Sequence, residues 1–218
     1  MFENRAFSAF LFDMDGTLLS SIASAERIWT AWARGHGIDP GHLLATMHGV
    51  RAIETVARHV PPGIDARTEA DRITLMEIED AEGTEAITGA GAFLRSLPAD
   101  RWAIVTSAPR PLALARLRAA GLPMPETIVT ADDVSVGKPE PEGYLLAAAR
   151  LGFSASDCLV FEDAHAGIVA GEAAGATVCV VTACLPVSFA TDRATLANYE
   201  QHRVAIDSAT GDLRIIDL

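Results

Sequence analysis

The sequence has few cysteines and few basic residues, and both shortages limit what the protein can be. Only three cysteines occur among 218 residues, at positions 158, 179 and 184. No two of them form a CxxC pair, and an odd number in apolar surroundings predicts reduced thiols in a core. Lysine and arginine number 17 against 29 aspartates and glutamates, a net charge of −12. This negative field argues against binding to nucleic acid or to an anionic membrane, and an anionic substrate would need a local lysine or metal ion.

Long hydrophobic runs are also missing. The first apolar segment, Ala9–Phe12, is interrupted by Asp13, and no later one reaches the roughly 20 residues that span a bilayer. No signal peptide is recognisable, so we expect a cytoplasmic protein without membrane contact. Half of the residues are hydrophobic and 21% are charged, which predicts a packed core rather than disorder.

Short apolar runs alternate with helical patterns along most of the chain. The helical patterns end at Gly121, Gly152 and Gly175, as is typical of the residue after a helix. Continuous apolar runs are typical of strands covered on both faces, so we predict an α/β fold with helices flanking a Rossmann-like parallel sheet. A terminal hairpin is predicted around Gly211 and Asp212. The predicted strands are Ala9–Phe12, Trp102–Thr106, Thr127–Val129, Cys158–Phe161 and Thr177–Val181.

One segment interrupts this alternation, because it is helical by pattern and has no convincing strand. We predict that residues 20–87 form a helical cap over the carboxyl edge of the sheet, inserted into a core of residues 1–19 and 88–218. The helices predicted within the cap are Ala25–Arg34, His42–Met47, Ala52–Val60 and Thr68–Ala81.

Polar residues follow the predicted strands at the edge where a parallel sheet binds ligands. Several carboxylates there need a hard cation, and oxygen ligands with open positions favour Mg²⁺. A lysine and a hydroxyl could hold phosphate oxygens. Each residue alone could be an ordinary turn or helix cap, and only their joint occurrence favours a site. The candidates are Asp13, Asp15, Thr106, Ser107, Lys138, Glu162 and Asp163.

These residues lie in four segments, "DMDGT", "VTS", "GKPEP" and "EDAHAGIVAGEAAG". In order and spacing, the segments resemble the four motifs of the haloacid dehalogenase-like superfamily of phosphotransferases. The resemblance covers nearly the whole chain and is closest to the β-phosphoglucomutase-like subfamily, whose helical C1 cap lies between the first two motifs. It implies Mg²⁺-dependent phosphoryl transfer to and from an aspartate.

The resemblance also implies roles for the acidic residues. Asp13 would attack phosphorus and form an aspartyl-phosphate. Asp15 would protonate the leaving oxygen and then deprotonate water. Mg²⁺ would bind the Asp13 carboxylate, the Asp15 carbonyl and Asp163, with Glu162 acting through water.

Three further residues would stabilise the transferring phosphoryl group in the same scheme. They are the Thr106 hydroxyl, the Ser107 N–H group and the Lys138 ammonium.

The predicted cap carries a further resemblance. His48, Gly49 and Arg51 lie in "HGVR", which resembles an element of sugar-phosphate phosphatases and glycerol-3-phosphatases, and this implies that they contact substrate. For Arg51 the alternative is a solvated helix charge. Glu77 and Glu79 could bind sugar hydroxyls or form a solvated helix face, of which we favour the second.

Three alternatives within and beyond this family are less well supported. Dehalogenases lack the second acid, which is present here as Asp15. A mutase similar to β-phosphoglucomutase would carry a histidine twelve residues after the nucleophile, where this sequence has Ala25. A non-catalytic binding module would not need the complete set of motif residues. We therefore predict a monomeric, Mg²⁺-dependent phosphatase of small phosphate monoesters, such as sugar or polyol phosphates. His165 receives no role.

Overall fold

The computed structural model describes Phe2, residues 5–185 and residues 190–217. The predicted core also includes residues 1, 3, 4, 186–189 and 218, which lie outside these described residues. The strands found in the described part are β1 (Ala9–Phe12), β2 (Leu19–Ser20), β3 (Glu85–Ala86), β4 (Trp102–Val105), β5 (Thr127–Val129), β6 (Cys158–Glu162), β7 (Thr177–Val181), β8 (Ala194–Leu196), β9 (His202–Ile206) and β10 (Leu213–Asp217). The α-helices there are α1 (Ile22–Gly35), α2 (Pro40–Met47), α3 (Ala52–His59), α4 (Ala66–Glu79), α5 (Ala90–Arg95), α6 (Arg110–Ala119), α7 (Glu142–Leu151) and α8 (His165–Ala173).

The main sheet is parallel throughout its described strands, in the order β5-β4-β1-β6-β7-β8. The predicted α/β class is therefore confirmed. Strand β1 is central: Phe10 pairs with Trp102 of β4 on one side and with Leu159 of β6 on the other. Because all three strands run the same way, the residues that follow them meet at one edge of the sheet.

The sheet is buried on both faces, as its continuous apolar strands require. Phe10 and Phe12 of β1 point into one hydrophobic cluster, and Ala9 and Leu11 point into another. This alternation follows from the two-residue period of a strand. The Phe12 and Phe161 rings stack with their centroids 4.6 Å apart. This contact stabilises the packing of β1 against β6 beside the carboxyl edge of the sheet.

Helices α1–α4 pack around a third hydrophobic cluster of their own, which includes Trp32, Leu43 and Ile73. The chain leaves the main sheet through β2 and returns through β3, and these two short strands pair antiparallel. This pairing differs from the expectation of no strand in the insertion. Two residues per strand give no apolar alternation from which it could have been predicted. The predicted boundaries at 19/20 and 87/88 stay a prediction.

The terminal hairpin was predicted from the sequence, but two other short elements were not. The terminal hairpin is confirmed as β9 and β10, whose described residues pair from Leu213–Ile206 to Asp217–His202. Strand β8 and helix α5 were not predicted, since each is too short to carry a periodic pattern. No helix within the described ranges is long and apolar enough to cross a membrane.

All three cysteines lie in the described part of the chain, and none of them forms a disulfide there. Cys158 and Cys179 are buried in the sheet, and burial raises the thiol pKa to about 11 for Cys158 and about 12 for Cys179. Cys184 is half-buried. The expectation of reduced core thiols is confirmed for the two buried cysteines.

The aromatic packing around β1 predicts a large loss of stability when Phe10 is shortened. Phe10 is fully buried and contacts the rings of Phe7, Phe12, Phe93 and Phe161. Phe10→Ala should lower the free energy of unfolding by about 3–5 kcal/mol, measured by urea denaturation. Leu145→Ala is the matched control, because Leu145 is 46% exposed, and it should change stability by no more than about 0.5 kcal/mol. Equal losses in the two variants would contradict this packing.

Candidate active site

Three carboxylates meet at the carboxyl edge of the central strands. Asp13 follows β1, while Glu162 ends β6 and Asp163 follows it. One oxygen from each of the three lies within 4.8 Å of the others. Adjacent parallel strands bring these residues together, as their positions at the strand ends predicted.

Lys138 lies in the middle of this acidic group. Its Nζ donates to Asp13 Oδ1 at 2.6 Å, to Glu162 Oε1 at 2.7 Å and to the Val105 carbonyl at 3.1 Å. The ammonium also lies 5.1 Å from the centroid of the Tyr144 ring. These three hydrogen bonds use all three donors of the ammonium group. Lys138 is only 5% exposed, so little solvent reaches it.

The Glu162 carboxylate accepts hydrogen bonds from four donors. Oε1 accepts from Lys138 and from the Tyr144 hydroxyl at 3.1 Å, and Oε2 accepts from the backbone N–H groups of Asp163 and Ala164 at 2.8 and 2.9 Å. These four bonds fill the usual capacity of a carboxylate. The geometry therefore favours Glu162 as the group that fixes Lys138 and the turn after β6, more than as a metal ligand.

Two glycines give Asp163 and Glu162 the space they need. A Cβ on Gly16 would lie 2.0 Å from Asp163 Oδ2, and Gly16 has a φ of +90°. A Cβ on Gly167 would lie 1.4 Å from Glu162 Oε1. The motifs "DMDGT" and "EDAHAGIVAG" thus need glycine at these positions because the two chain segments approach closely. Asp163 Oδ1 in turn accepts from the Thr17 hydroxyl at 3.2 Å.

The charges in this group do not balance. One ammonium faces three carboxylates, of which those of Asp13 and Glu162 are buried and that of Asp163 is half-buried. Burial raises the pKa of Asp13 and of Asp163, and the neighbouring Glu162 raises both further, while Lys138 opposes the shift. Burial alone would lower the pKa of Lys138, but Asp13 and Glu162 raise it well above its ordinary value.

An excess of negative charge at a cluster of oxygen ligands is what a divalent cation stabilises. Asp13 and Asp163 offer carboxylate oxygens to such a cation, and the hard oxygen donors fit Mg²⁺ better than a thiophilic metal. The residues present therefore fit the ion that the sequence implied.

Thr106 and Ser107 follow β4 directly beside this group. The Thr106 hydroxyl accepts from the backbone N–H of Ala108 at 3.1 Å, which leaves its own proton available to a ligand. Ser107 Oγ donates to the Gly49 carbonyl at 2.8 Å. The side chain of Ser107 thus joins the sheet to the inserted helices.

A cavity of about 100 Å³ opens between the sheet edge and the inserted helices. We call it the Asp13 cavity. Among the described residues, it is lined by Asp13, Asp15, Ser21, Ala25, Trp29, Met47, His48, Gly49, Val50, Ala52, Glu77, Thr106, Ser107, Ala108, Pro109, Leu112 and Arg116. The space is small against the roughly 300–1,000 Å³ of a drug-sized site, so it suits a small group. A larger opening of about 610 Å³ lies on the other side of Asp15 and is lined by Asp163 and His165.

Asp15 is held by residues that the sequence did not identify. Oδ1 of Asp15 accepts from Ser21 Oγ at 2.6 Å and lies 3.1 Å from Arg116 Nη1. Arg116 Nη2 also lies 3.1 Å from Oε1 of Glu77, which belongs to α4. A sequence signal existed: Arg116 occupies the buried stripe of α6 formed with Leu112 and Leu117, where a charged side chain needs a partner.

The two acids predicted at the end of α4 have different environments. Glu77 is 5% exposed and lines the Asp13 cavity, so the favoured interpretation of a solvated face is wrong for it. Burial raises the pKa of Glu77, although Arg116 opposes that shift. Glu79 is exposed, as expected of a solvated face. Helix α4 presents Ala70, Ile73 and Glu77 to the interior, and this spacing separates the two glutamates.

The "HGVR" residues are divided between two surfaces. His48 and Gly49 line the Asp13 cavity. Arg51 is not among the described residues that line it; its guanidinium donates to Glu54 Oε1 at 2.7 Å and to the carbonyl of Ser135 at 3.2 Å. In this conformation Arg51 joins α3 to the loop before Lys138 and lines a separate small cavity beside Thr106, Ser107 and Lys138. The substrate contact that the resemblance implies stays a prediction. His165 is exposed at the start of α8.

The close approach of Gly167 to Glu162 gives a test of the buried network. Gly167→Ala should displace the Glu162 carboxylate and with it Lys138, because the new Cβ would overlap Oε1. We expect the phosphatase activity that the sequence predicts to fall by about 100-fold or more, together with a lower melting temperature. Gly91→Ala is the control, since the nearest atom to its Cβ is the flexible end of Arg95 at 3.0 Å. Unchanged activity in Gly167→Ala would show that Glu162 does not hold the site.

Comparisons with known proteins agree with this geometry. Residues 7–175 match the family described as haloacid dehalogenase-like hydrolase. The chain is 48% identical over 179 residues to hexitol phosphatase A of Escherichia coli (strain K12), which covers 80% of this chain and 82% of that protein. It is 32% identical over 221 residues to glycerol-1-phosphate phosphohydrolase 2 of Saccharomyces cerevisiae, covering 94% of this chain and 88% of that protein.

The fold is found again among solved structures. A hydrolase from Pseudomonas syringae superposes with a TM-score of 0.71 at 27% identity, covering 81% of this chain and 84% of the other. The family match includes all four motif segments and extends over more than half of the residues. On this basis the chain is a member of the haloacid dehalogenase-like hydrolase family.

Proposed function

We propose that this protein hydrolyses phosphate monoesters of sugars or polyols through an aspartyl-phosphate intermediate on Asp13. The observation that carries the proposal is the buried contact of Lys138 with both Asp13 and Glu162, beside Asp163. An ammonium and several carboxylates in one desolvated group suit an anionic phosphoryl group and a divalent cation together.

In the proposed reaction, Asp13 is the nucleophile. Its carboxylate attacks phosphorus, the bond from phosphorus to the substrate oxygen breaks, and the alcohol leaves with a proton from Asp15. Asp15 then takes a proton from water, which attacks the phosphoryl group and releases inorganic phosphate and free Asp13. The position of Asp15 at the boundary of the Asp13 cavity and the larger opening supports this role, because water and product can both reach it.

Three groups would hold the phosphoryl oxygens during transfer. Lys138 contacts Asp13 directly, and its fixed ammonium would stabilise charge as it develops on the phosphoryl group. The free proton of the Thr106 hydroxyl and the backbone N–H of Ser107 would donate to the other oxygens. All three groups are anchored by the sheet or by Glu162, so they need little rearrangement when substrate binds.

Asp13, Asp163 and the backbone carbonyl of Asp15 would hold Mg²⁺. The ion supplies neutralising positive charge to the phosphoryl oxygens when it is bound. Glu162 would act indirectly, because its four hydrogen bonds already fix Lys138 and the turn after β6. This assigns Glu162 a positioning role instead of direct ligation.

Substrate class follows from the relatives and from the cavity. The names of the two relatives above specify hexitol phosphates and glycerol 1-phosphate, and both are small polyol esters. A cavity of about 100 Å³ also suits a small alcohol and not a macromolecule. Ala25 lines this cavity where a mutase would need a histidine, so we favour transfer to water over transfer between sugar positions.

Helices α1–α4 would act as a cap that closes over the substrate and excludes water. The contacts that join these helices to the core near the site include those of Ser107 with the Gly49 carbonyl and of Arg51 with the Ser135 carbonyl. We assign Arg51 to holding the cap closed, which would still influence substrate affinity. The cytoplasmic location, the monomeric state and the absence of nucleic-acid binding stay predictions.

The metal-dependent part of the proposal predicts a simple result. Purified protein with Mg²⁺ should release phosphate from p-nitrophenyl phosphate and from sorbitol 6-phosphate, and excess EDTA should abolish release because Asp13 and Asp163 then repel the substrate. Added Mg²⁺ should restore the rate. Full activity in EDTA, or none on any sugar or polyol phosphate, would contradict the proposal.

A substitution separates chemistry from folding. Asp13→Asn preserves the shape of the side chain but removes the nucleophile, so turnover should fall by about 10⁴-fold or more while the circular dichroism spectrum is retained. The control is Asp100→Asn, because Asp100 is an exposed acid remote from the site. Substantial turnover by a folded Asp13→Asn protein would rule out covalent catalysis at Asp13.

A further inference from the structure

Glu77 is a buried acid in the wall of the Asp13 cavity, and the proposed phosphoryl chemistry does not use it. It lies in the last turn of α4 and is 5% exposed. Trp29 Nε1 donates to its Oε1 at 3.2 Å, and Arg116 Nη2 lies 3.1 Å from the same atom. A buried carboxylate is costly unless it has a purpose or complete hydrogen bonding.

The hydrogen bonding of Glu77 is incomplete. Both bonds from described residues end at Oε1, and none of the bonds within the described ranges ends at Oε2. An ionised carboxylate accepts up to about four hydrogen bonds. Since Glu77 lines the Asp13 cavity, a ligand in the cavity can supply the missing donors.

Arg116 connects this acid to the reacting centre. Its Nη1 contacts Asp15 Oδ1 while its Nη2 contacts Glu77 Oε1, both at 3.1 Å. The Arg116 guanidinium therefore lies between Glu77 and Asp15, and Asp15 is the residue that would protonate the leaving oxygen. The alcohol that Asp15 protonates would therefore lie along the wall of the Asp13 cavity that contains Glu77.

We propose that Glu77 is a specificity-determining residue that binds a hydroxyl of the leaving alcohol and rejects alcohols that carry a negative charge. This inference rests on the proposed phosphatase function and refines its substrate class to uncharged polyol and sugar phosphates. A hydroxyl can donate to the carboxylate, whereas a carboxylate or second phosphate cannot donate and is repelled in a site with little water. Arg116 positions both acids and keeps Glu77 directed along the cavity.

The test compares pairs of substrates that differ in one group. Glycerol 3-phosphate and 3-phosphoglycerate share three carbons, and a carboxylate replaces a hydroxymethyl group in the second. Sorbitol 6-phosphate and 6-phosphogluconate form the same kind of pair with six carbons. For each pair the measured quantity is the ratio of kcat/KM for the uncharged alcohol to kcat/KM for the acid.

The wild-type protein should prefer the uncharged member by about tenfold or more in at least the three-carbon pair, and Glu77→Gln should lower that ratio by about tenfold. Gln keeps the size of the side chain but loses the charge. Glu79→Gln is the matched control, because Glu79 is exposed on the same helix, and it should leave the ratio unchanged. An unchanged ratio in an active Glu77→Gln protein would overturn the inference.

Two further measurements test the proposed role of Glu77 if the Glu77→Gln protein does not fold. Glu77→Asp keeps the charge, so it should retain the rejection of the acid substrates while losing activity on the polyol esters. Equal wild-type kcat/KM values within both pairs would overturn the inference without any variant. Failure of the wild-type protein on every ester, including p-nitrophenyl phosphate, would instead refute the proposed function and this inference with it.

Discussion

The site depends on one buried ammonium group. Lys138 reaches across the carboxyl edge of the sheet to Asp13 and Glu162, which lie at the ends of two neighbouring strands. Without this positive charge, three carboxylates, two of them buried, would face one another, and folding would have to overcome their repulsion. The same charge then serves the proposed chemistry, because a phosphoryl group needs positive charge where it binds. Structural and functional requirements therefore converge on one side chain.

The arrangement around Lys138 explains why the motifs contain small residues beside charged ones. Gly16 and Gly167 leave room for the carboxylates of Asp163 and Glu162, and Tyr144 from α7 completes the set of donors to Glu162. Each of these residues acts on the site by positioning a carboxylate. A motif of this kind encodes a shape as well as a set of reactive groups.

Much of the site could be predicted from sequence because its residues are tied to strand ends. Asp13, Thr106 and Asp163 follow apolar runs whose length and composition identify strands, and parallel strands necessarily bring their carboxyl ends together. Tyr144 and Arg116 were not predicted, since each lies within a helix and its partner is distant in the chain. Glu77 was misjudged for a related reason: its surroundings depend on how α4 packs against the core, which no local pattern specifies.

In the proposed function, the inserted helices would connect substrate selection to the chemistry. Arg116 of the core contacts both Glu77 of α4 and Asp15, and Ser107 contacts Gly49 of the insertion. Packing of these helices therefore determines both the wall of the cavity and the orientation of Asp15. Polar contacts across this surface give the arrangement of cap and core a defined geometry.

In the proposed mechanism, Asp13, Asp163 and Lys138 form one phosphoryl-transfer site with Asp13 as its nucleophile. The most direct measurement is a crystal structure of the protein grown with Mg²⁺ and beryllium fluoride, which mimics a phosphoryl group on a carboxylate. We expect the fluoride complex bonded to an Asp13 oxygen, Lys138 within hydrogen-bonding distance of a fluorine, and Mg²⁺ between Asp13 and Asp163. A beryllium fluoride group on another residue, or Mg²⁺ bound away from these two acids, would contradict the account.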